Sequence, residues 1–134
     1  MTIRYTTGYK YQLSSSVIYK TGIQIDKRIS NDFLIMDTDG TLLIETGYAW
    51  DGASGGVDTK SVMRGSLIHD ALCQLINEGL LPKSKQVTAD WILKQVCLED
   101  GMSSIRAWWV HRAVRRYDKL GLKNYKRKEI LEAP

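Results

Sequence analysis

Long apolar runs are missing from this sequence. No stretch approaches the ~20 apolar residues that span a bilayer, and the opening Met1-Thr2-Ile3-Arg4-Tyr5 lacks the apolar core of a secretory signal. Nothing in the chain is expected to export or anchor it unaided. Cysteine is also scarce, with Cys73 and Cys97 the only two, each inside an apolar periodic segment. That pattern excludes a disulfide framework, and neither cysteine stands at a standard metal-cluster spacing from His69 or His111. Phenylalanine occurs once against seven tyrosines and four tryptophans, a bias without an evident meaning. No internal repeat or low-complexity tract interrupts the chain.

What remains is an ordinary globular composition, 43% apolar and 25% charged over 134 residues. That length holds one real hydrophobic core and not two. A single compact domain over 1–122 is therefore expected, followed by a polar, basic tail over 123–134. The net charge of +4 is uneven. Arg106, Arg112, Arg115, Arg116, Lys119, Lys123, Lys126, Arg127 and Lys128 are opposed in that span only by Asp118. Such a patch suits nucleic acid, anionic lipid or an acidic protein, and charge alone does not choose among them.

The first half reads as strand. Tyr9 to Leu13 and Val17 to Lys20 are short runs rich in Tyr, Val and Ile on either side of Ser14-Ser15-Ser16. Phe33 to Met36 and Thr41 to Thr46 flank Asp37-Thr38-Asp39-Gly40, whose glycine suits the left-handed position of a hairpin loop. The second half reads as helix. Thr59 is placed to cap a helix running to about Asn77, with Gly79 and Pro82 ending it. Ser84 is placed to cap a second, to about Asp100, and Gly101 separates it from a third over about Ser104 to Leu120. In the third, Ala107, Val110, Val114, Tyr117 and Leu120 share one face, with Arg112, Arg115, Arg116 and Lys119 on others. The fold class predicted is α+β, antiparallel strands and a hairpin followed by three helices.

The stretch Gly47-Tyr48-Ala49-Trp50-Asp51-Gly52-Ala53-Ser54-Gly55-Gly56 is the least random in the chain. Glycines around an acid and a hydroxyl suit a loop whose backbone must come close to an anion, to a metal ion held by carbonyls, or to the packed backbone of the next element. The Gly-Lys-Ser/Thr ending of a Walker loop is absent. A plainer reading has Trp50 plugging the core and Asp51 capping backbone amides. Either way, the loop is expected to pack on the first two helices.

On the first helix, Ile68, Ala71, Leu72, Leu75 and Ile76 define a buried stripe, with His69 at its edge and Asp70 on the opposite side. Ser66 and Cys73 flank His69. A histidine so placed can serve as a general base or metal ligand on a rigid support, or as a half-buried residue bonded to a neighbour. Asp90, between Ala89 and Trp91, needs a partner, since burying an unpaired carboxylate costs several kcal/mol. His69 would make it the orienting acid of a His-Asp couple, and Arg64 or Lys94 a salt bridge. Trp108-Trp109 with His111, Arg112, Arg115 and Arg116 fits stacked bases and neutralised phosphates. Aromatics beside arginines also serve as core and rim, and Arg112, Arg115 and Arg116 are expected to form one positive surface.

Gly-Tyr-Ala-Trp-Asp-Gly-Ala-Ser at 47–54, His69-Asp70-Ala71-Leu72, Ala89-Asp90 and the basic helix with Ala113-Val114-Arg115 together resemble a domain family of unknown function found in tailed bacteriophages and prophages. The resemblance runs from about Tyr9 to Tyr117. It implies a phage protein in the host cytoplasm or the virion, with other phage proteins or a host protein as partners, and supplies no mechanism. In a second likeness, the Gly-rich loop, the His-Asp pair and the later Asp are similar to the plan of phospholipase A2. It implies His69 as base, Asp90 as its orienter, and a calcium site from Asp70 and Asp51 with the loop at Gly52 and Gly55. Leu72 and Cys73 depart from that plan, where a tyrosine is usual, and the usual calcium-loop sequence is absent. Two functions follow: a non-catalytic virion or tail component or host-factor binder, with Trp108, Arg112, Arg115 and Arg116 as its contact surface, or a metal-assisted hydrolase.

Overall fold

Seven short strands precede three helices in the computed structural model, which describes residues 5–8, 10–50 and 60–120. The chain is α+β. It divides into two units, Met1–Asp51 and Gly52–Pro134, the first built of strands and the second of helices. Thr59, Tyr9 and the segment 123–134, each given a role above, lie outside the described residues.

In the first unit β1 (Tyr5–Gly8) pairs antiparallel with β2 (Lys10–Leu13), and β2 with β7 (Ala49–Trp50). A second sheet has the order β3 (Val17–Lys20), β6 (Thr41–Ile44), β5 (Leu34–Met36), β4 (Ile29–Ser30), all antiparallel. Period-two alternation decides its buried face. Leu34 and Met36 of β5 are buried and stand opposite Ile44 and Leu42 of β6, also buried. Burying each such side chain is worth about 1.5–3 kcal/mol.

The predicted hairpin is present. Gly40 N–H donates to Asp37 O (2.9 Å) and Asp37 N–H to Thr41 O (3.0 Å), with Gly40 at φ +88°, the geometry of a turn closed by a left-handed bulge residue. Asp39 Oδ1 accepts from Thr41 N–H at 2.9 Å. The strands at the ends of this unit differ from expectation. Ala49–Trp50, read above as loop, is a strand whose Trp50 lies opposite Tyr11, with the rings 5.5 Å apart.

In the second unit α1 (Lys60–Asn77), α2 (Gln86–Glu99) and α3 (Ser104–Leu120) follow in order, with a 3-10 turn at Lys83–Lys85. Gly79, φ +78°, ends α1 as predicted. There Gly79 N–H bonds to Ile76 O and Leu80 N–H to Leu75 O, so the last carbonyls of the helix are satisfied. Ser84 does not cap α2. It falls inside the 3-10 turn, and Lys85 stands at the cap position without a side-chain bond. Ser103 caps α3, its Oγ accepting from Arg106 N–H at 3.2 Å.

Gly65 of α1 permits close approach to α2. A Cβ built there would lie 3.0 Å from Cys97 Sγ, 3.1 Å from Leu93 Cδ1 and 3.3 Å from the Leu93 carbonyl oxygen. Around this crossing Val62, Leu93, Cys97, Met102 and Ala107 form one buried cluster, with Val110 and Val114 of α3 packed against it. Arg64, buried beside the seam, grips the C-terminal end of α2. Its Nε and Nη2 donate to the two oxygens of Asp100 (3.1 and 2.9 Å), and Nη2 also to Glu99 Oε1 (2.9 Å).

Candidate functional site

Asp90 stands between the three helices with 0% of its surface exposed. Gln86 precedes it by one turn of α2 and so shares its face. His69 and Cys73 are likewise one turn apart on α1, which brings both side chains to the same patch. Arg115 reaches in from α3. His69 Nε2 lies 2.6 Å from Asp90 Oδ1, Gln86 Nε2 donates to the same oxygen at 3.1 Å, and Arg115 Nη1 donates to Oδ2 at 2.7 Å. Gln86 Nε2 also approaches Cys73 Sγ at 3.3 Å. One carboxylate thus ties α1, its own helix and α3 together.

A buried carboxylate is tolerated where opposite charge and hydrogen bonds replace its water. Arg115 supplies a permanent charge and His69 a donor. Burial disfavours the charged imidazole, but the nearby Cys73 sulfur and the Asp90 carboxylate outweigh it and hold the His69 pKa well above its ordinary value. His111 on α3 moves the other way. Partial burial, then Lys94, lowers its pKa.

Of the partners the sequence leaves open for Asp90, His69 is the one that meets it, at 2.6 Å. Three expectations need correction. His69 is 4% exposed rather than at the edge of a stripe, because α1 is buried nearly all round, from Val62 to Cys73 apart from Asp70. Arg64, considered above as a partner for Asp90, goes to Glu99 and Asp100. Arg115, expected to share a positive surface with Arg112 and Arg116, is bound to Asp90, whereas Arg112 and Arg116 are exposed. Arg115 reaches the buried Asp90 from the flank of α3, with its side chain only 25% exposed.

No family model, no curated protein and no solved structure matches this chain. The chemistry must be read from the site itself.

A nucleophile, base and orienting acid in relay need the nucleophile and the acid on opposite ring nitrogens. Here Cys73 Sγ is nearer to Nε2 (3.6 Å) than to Nδ1 (3.9 Å), and Nε2 already faces Asp90. The thiol and the carboxylate compete for one nitrogen. Cys97 offers no nucleophile either, since burial pushes its thiol up to about 12. For calcium, among the described residues no three of His, Cys, Asp and Glu converge on a point where an ion would sit. Asp70 is half-buried on the next face of α1, and Asp51, Gly52 and Gly55 lie outside the described residues. Among the described residues no helix is long and apolar enough to cross a membrane.

The remaining site residues lie on the outer face of α3. Trp108 and Trp109 meet edge to face with centroids 4.9 Å apart, and the Arg112 guanidinium lies 5.3 Å from the Trp108 ring centre, within reach of a cation–π contact.

Proposed function

We propose that this chain is a non-catalytic phage or prophage protein, a virion or tail component or a host-factor binder, in which the His69–Asp90 couple serves structure. The observation that carries this reading is the closed bonding of Asp90. Both carboxylate oxygens are engaged, by His69 and Gln86 on one side and Arg115 on the other, and the imidazole is sealed beside them. A catalytic base must present one ring nitrogen to substrate or to an attacking water. A couple buried at a helix junction instead fixes how three helices meet, and leaves the exposed face of α3 to make contacts. The phage assignment, and with it other phage proteins or a host protein as partners, rests on the sequence resemblance.

The alternative, a phospholipase-like hydrolase with calcium held by Asp70 and Asp51, draws on the same 2.6 Å bond. The test is hydrolysis of ester substrates, phospholipids included, with and without calcium, for the wild type and His69→Ala. The reading expects no turnover above background in either protein and a loss of thermal stability in the variant. Calcium-dependent turnover abolished by His69→Ala would establish the hydrolase instead.

A further inference from the structure

The first turns of α3 expose large apolar side chains that the helical repeat gathers on one face. Ile105 is 74% exposed, Trp109 59% and Trp108 45%. At 3.6 residues per turn, Ile105, Trp108, Trp109, Arg112 and Arg116 fall within an arc of about 100°, opposite the Ala107, Val110 and Val114 face that packs on the core. The arc is apolar in its first two turns and cationic in the next two. From Ser103 to Arg116 the sequence has no acid, and Arg106, Arg112 and Arg116 are exposed. A contiguous apolar face of this kind on a protein surface marks a binding site.

We infer that this face of α3 docks on an anionic lipid surface, with Ile105, Trp108 and Trp109 entering the headgroup layer and Arg112 and Arg116 meeting the lipid phosphates. The inference rests on the reading of the chain as a binding protein, and names the chemistry of what it binds. Charge complementarity calls for an anionic partner, and further cations at Lys119, Lys123, Lys126, Arg127 and Lys128 follow in the sequence. The aromatic geometry selects among anionic partners. A base-stacking platform needs an open ring face, yet Trp108 has Arg112 over its ring and Trp109 against it at 79°. Ile105, the most exposed large apolar residue among the described residues, offers a base nothing to stack on. A second copy of the chain would set two acid-free cationic faces against each other. Tryptophan is enriched at the headgroup level, where an amphipathic ring is solvated on one edge and buried on the other. A convex helix face with apolar residues beside arginines also needs no matching groove to enter a fluid interface.

The experiment is co-sedimentation of the full chain with vesicles of phosphatidylcholine mixed with phosphatidylglycerol, against vesicles of phosphatidylcholine alone, at low and high salt. Binding is expected to the anionic vesicles only and to weaken as salt rises. Trp108→Ala with Trp109→Ala, and separately Arg112→Glu with Arg116→Glu, should each reduce it by about tenfold or more, with circular dichroism and melting temperature retained because these side chains are exposed. No binding to anionic vesicles, or binding untouched by either folded variant, overturns the inference. So does tryptophan-dependent binding of homopolymeric single-stranded DNA without vesicle binding, or a dimer in sedimentation velocity that the tryptophan variant dissolves. Fatty-acid release is measured in the same tubes. Release with binding intact would overturn the non-catalytic reading and leave lipid docking in place, whereas absence of both release and binding would do the reverse.

Discussion

Asp90 and His69 meet at 2.6 Å in a setting where neither is solvated, and the other carboxylate oxygen is held by Arg115 at 2.7 Å. Asp90→Asn keeps the shape of this junction and removes its negative charge. The Asp90 share of the attraction that raises the His69 pKa is then lost, while the Cys73 contribution and the burial that opposes both stay. An NMR titration should show the His69 pKa lowered in Asp90→Asn. The variant should also lose about 1.5–3 kcal/mol of stability, the range for hydrogen bonds to charged groups. Asp90→Ala should cost more, about 3–5 kcal/mol, because Arg115 is left facing an uncompensated buried site. An unchanged titration would dismiss the charge coupling.

The same pair predicts a pH dependence of stability. His69 titrates higher in the folded chain than its ordinary value of 6.5, so the folded state binds the proton more tightly. Its contribution is fully present below pH 6.5 and is lost as pH rises through the raised folded value. His111, lowered from 6.5, works oppositely and is weaker because it is partly solvated. Its contribution is present above 6.5 and lost as pH falls through the folded value. The melting temperature of the wild type should therefore decline as pH rises above 6.5, and His69→Gln, which can still donate to Asp90, should flatten that decline. Parallel curves for the two proteins would show that His69 does not bind the extra proton.

Much of this was readable in the sequence where local chemistry decides. The Asp37–Gly40 turn, the end of α1 at Gly79 and the extent of α3 follow from glycine placement and period, and an acid stranded among apolar neighbours at Asp90 announces that it needs a partner without choosing His69 over Arg64 or Lys94. What escaped depends on contacts distant in sequence. β7 exists because Ala49 and Trp50 pair with Gln12 and Tyr11, and nothing in Gly-Tyr-Ala-Trp announces that register. Arg115 resembles Arg112 and Arg116 by type, and only the position of the buried face separates them. Gln86, one turn before Asp90 on the same helix, is the local signal in the sequence for a second donor to that carboxylate.

Gly65 reads in isolation as a weak point in a helix, where alanine would be better by about 1 kcal/mol. The structure reverses that expectation. A Cβ would press on Cys97 Sγ and Leu93 Cδ1, both buried, and on the Leu93 carbonyl, which cannot yield without moving α2. Overpacking of this sort costs about 1–3 kcal/mol. Gly65→Ala should therefore be destabilising by about 1 kcal/mol net, and Gly65→Val by about 3 kcal/mol or more, in chemical denaturation. A stabilised Gly65→Ala would mean that the two helices separate at little cost.

Gly40 and Gly22 offer a matched pair that separates backbone strain from steric exclusion. Both have positive φ, +88° and +78°, so alanine at either carries the left-handed penalty of about 1–2 kcal/mol. At Gly22 no atom lies within 4 Å of the added Cβ, and the strain is the whole cost. At Gly40 the Cβ would fall 2.5 Å from the Ile23 carbonyl oxygen, 2.6 Å from its nitrogen and 2.8 Å from Thr21 Oγ1. Two of those atoms are backbone, and the segment is fastened to the hairpin loop by Thr21 N–H to Gly40 O (3.1 Å), Thr21 Oγ1 to the same oxygen (2.7 Å) and Ile25 N–H to Thr38 O (3.1 Å). Relief would break bonds as well as shift atoms. Gly40→Ala should then cost about 2–5 kcal/mol and Gly22→Ala about 1–2 kcal/mol, both read from denaturant midpoints at constant slope. Equal losses at the two positions would show that the loop yields freely, and that its grip on the Thr21–Ile25 segment adds little to the stability of the strand unit.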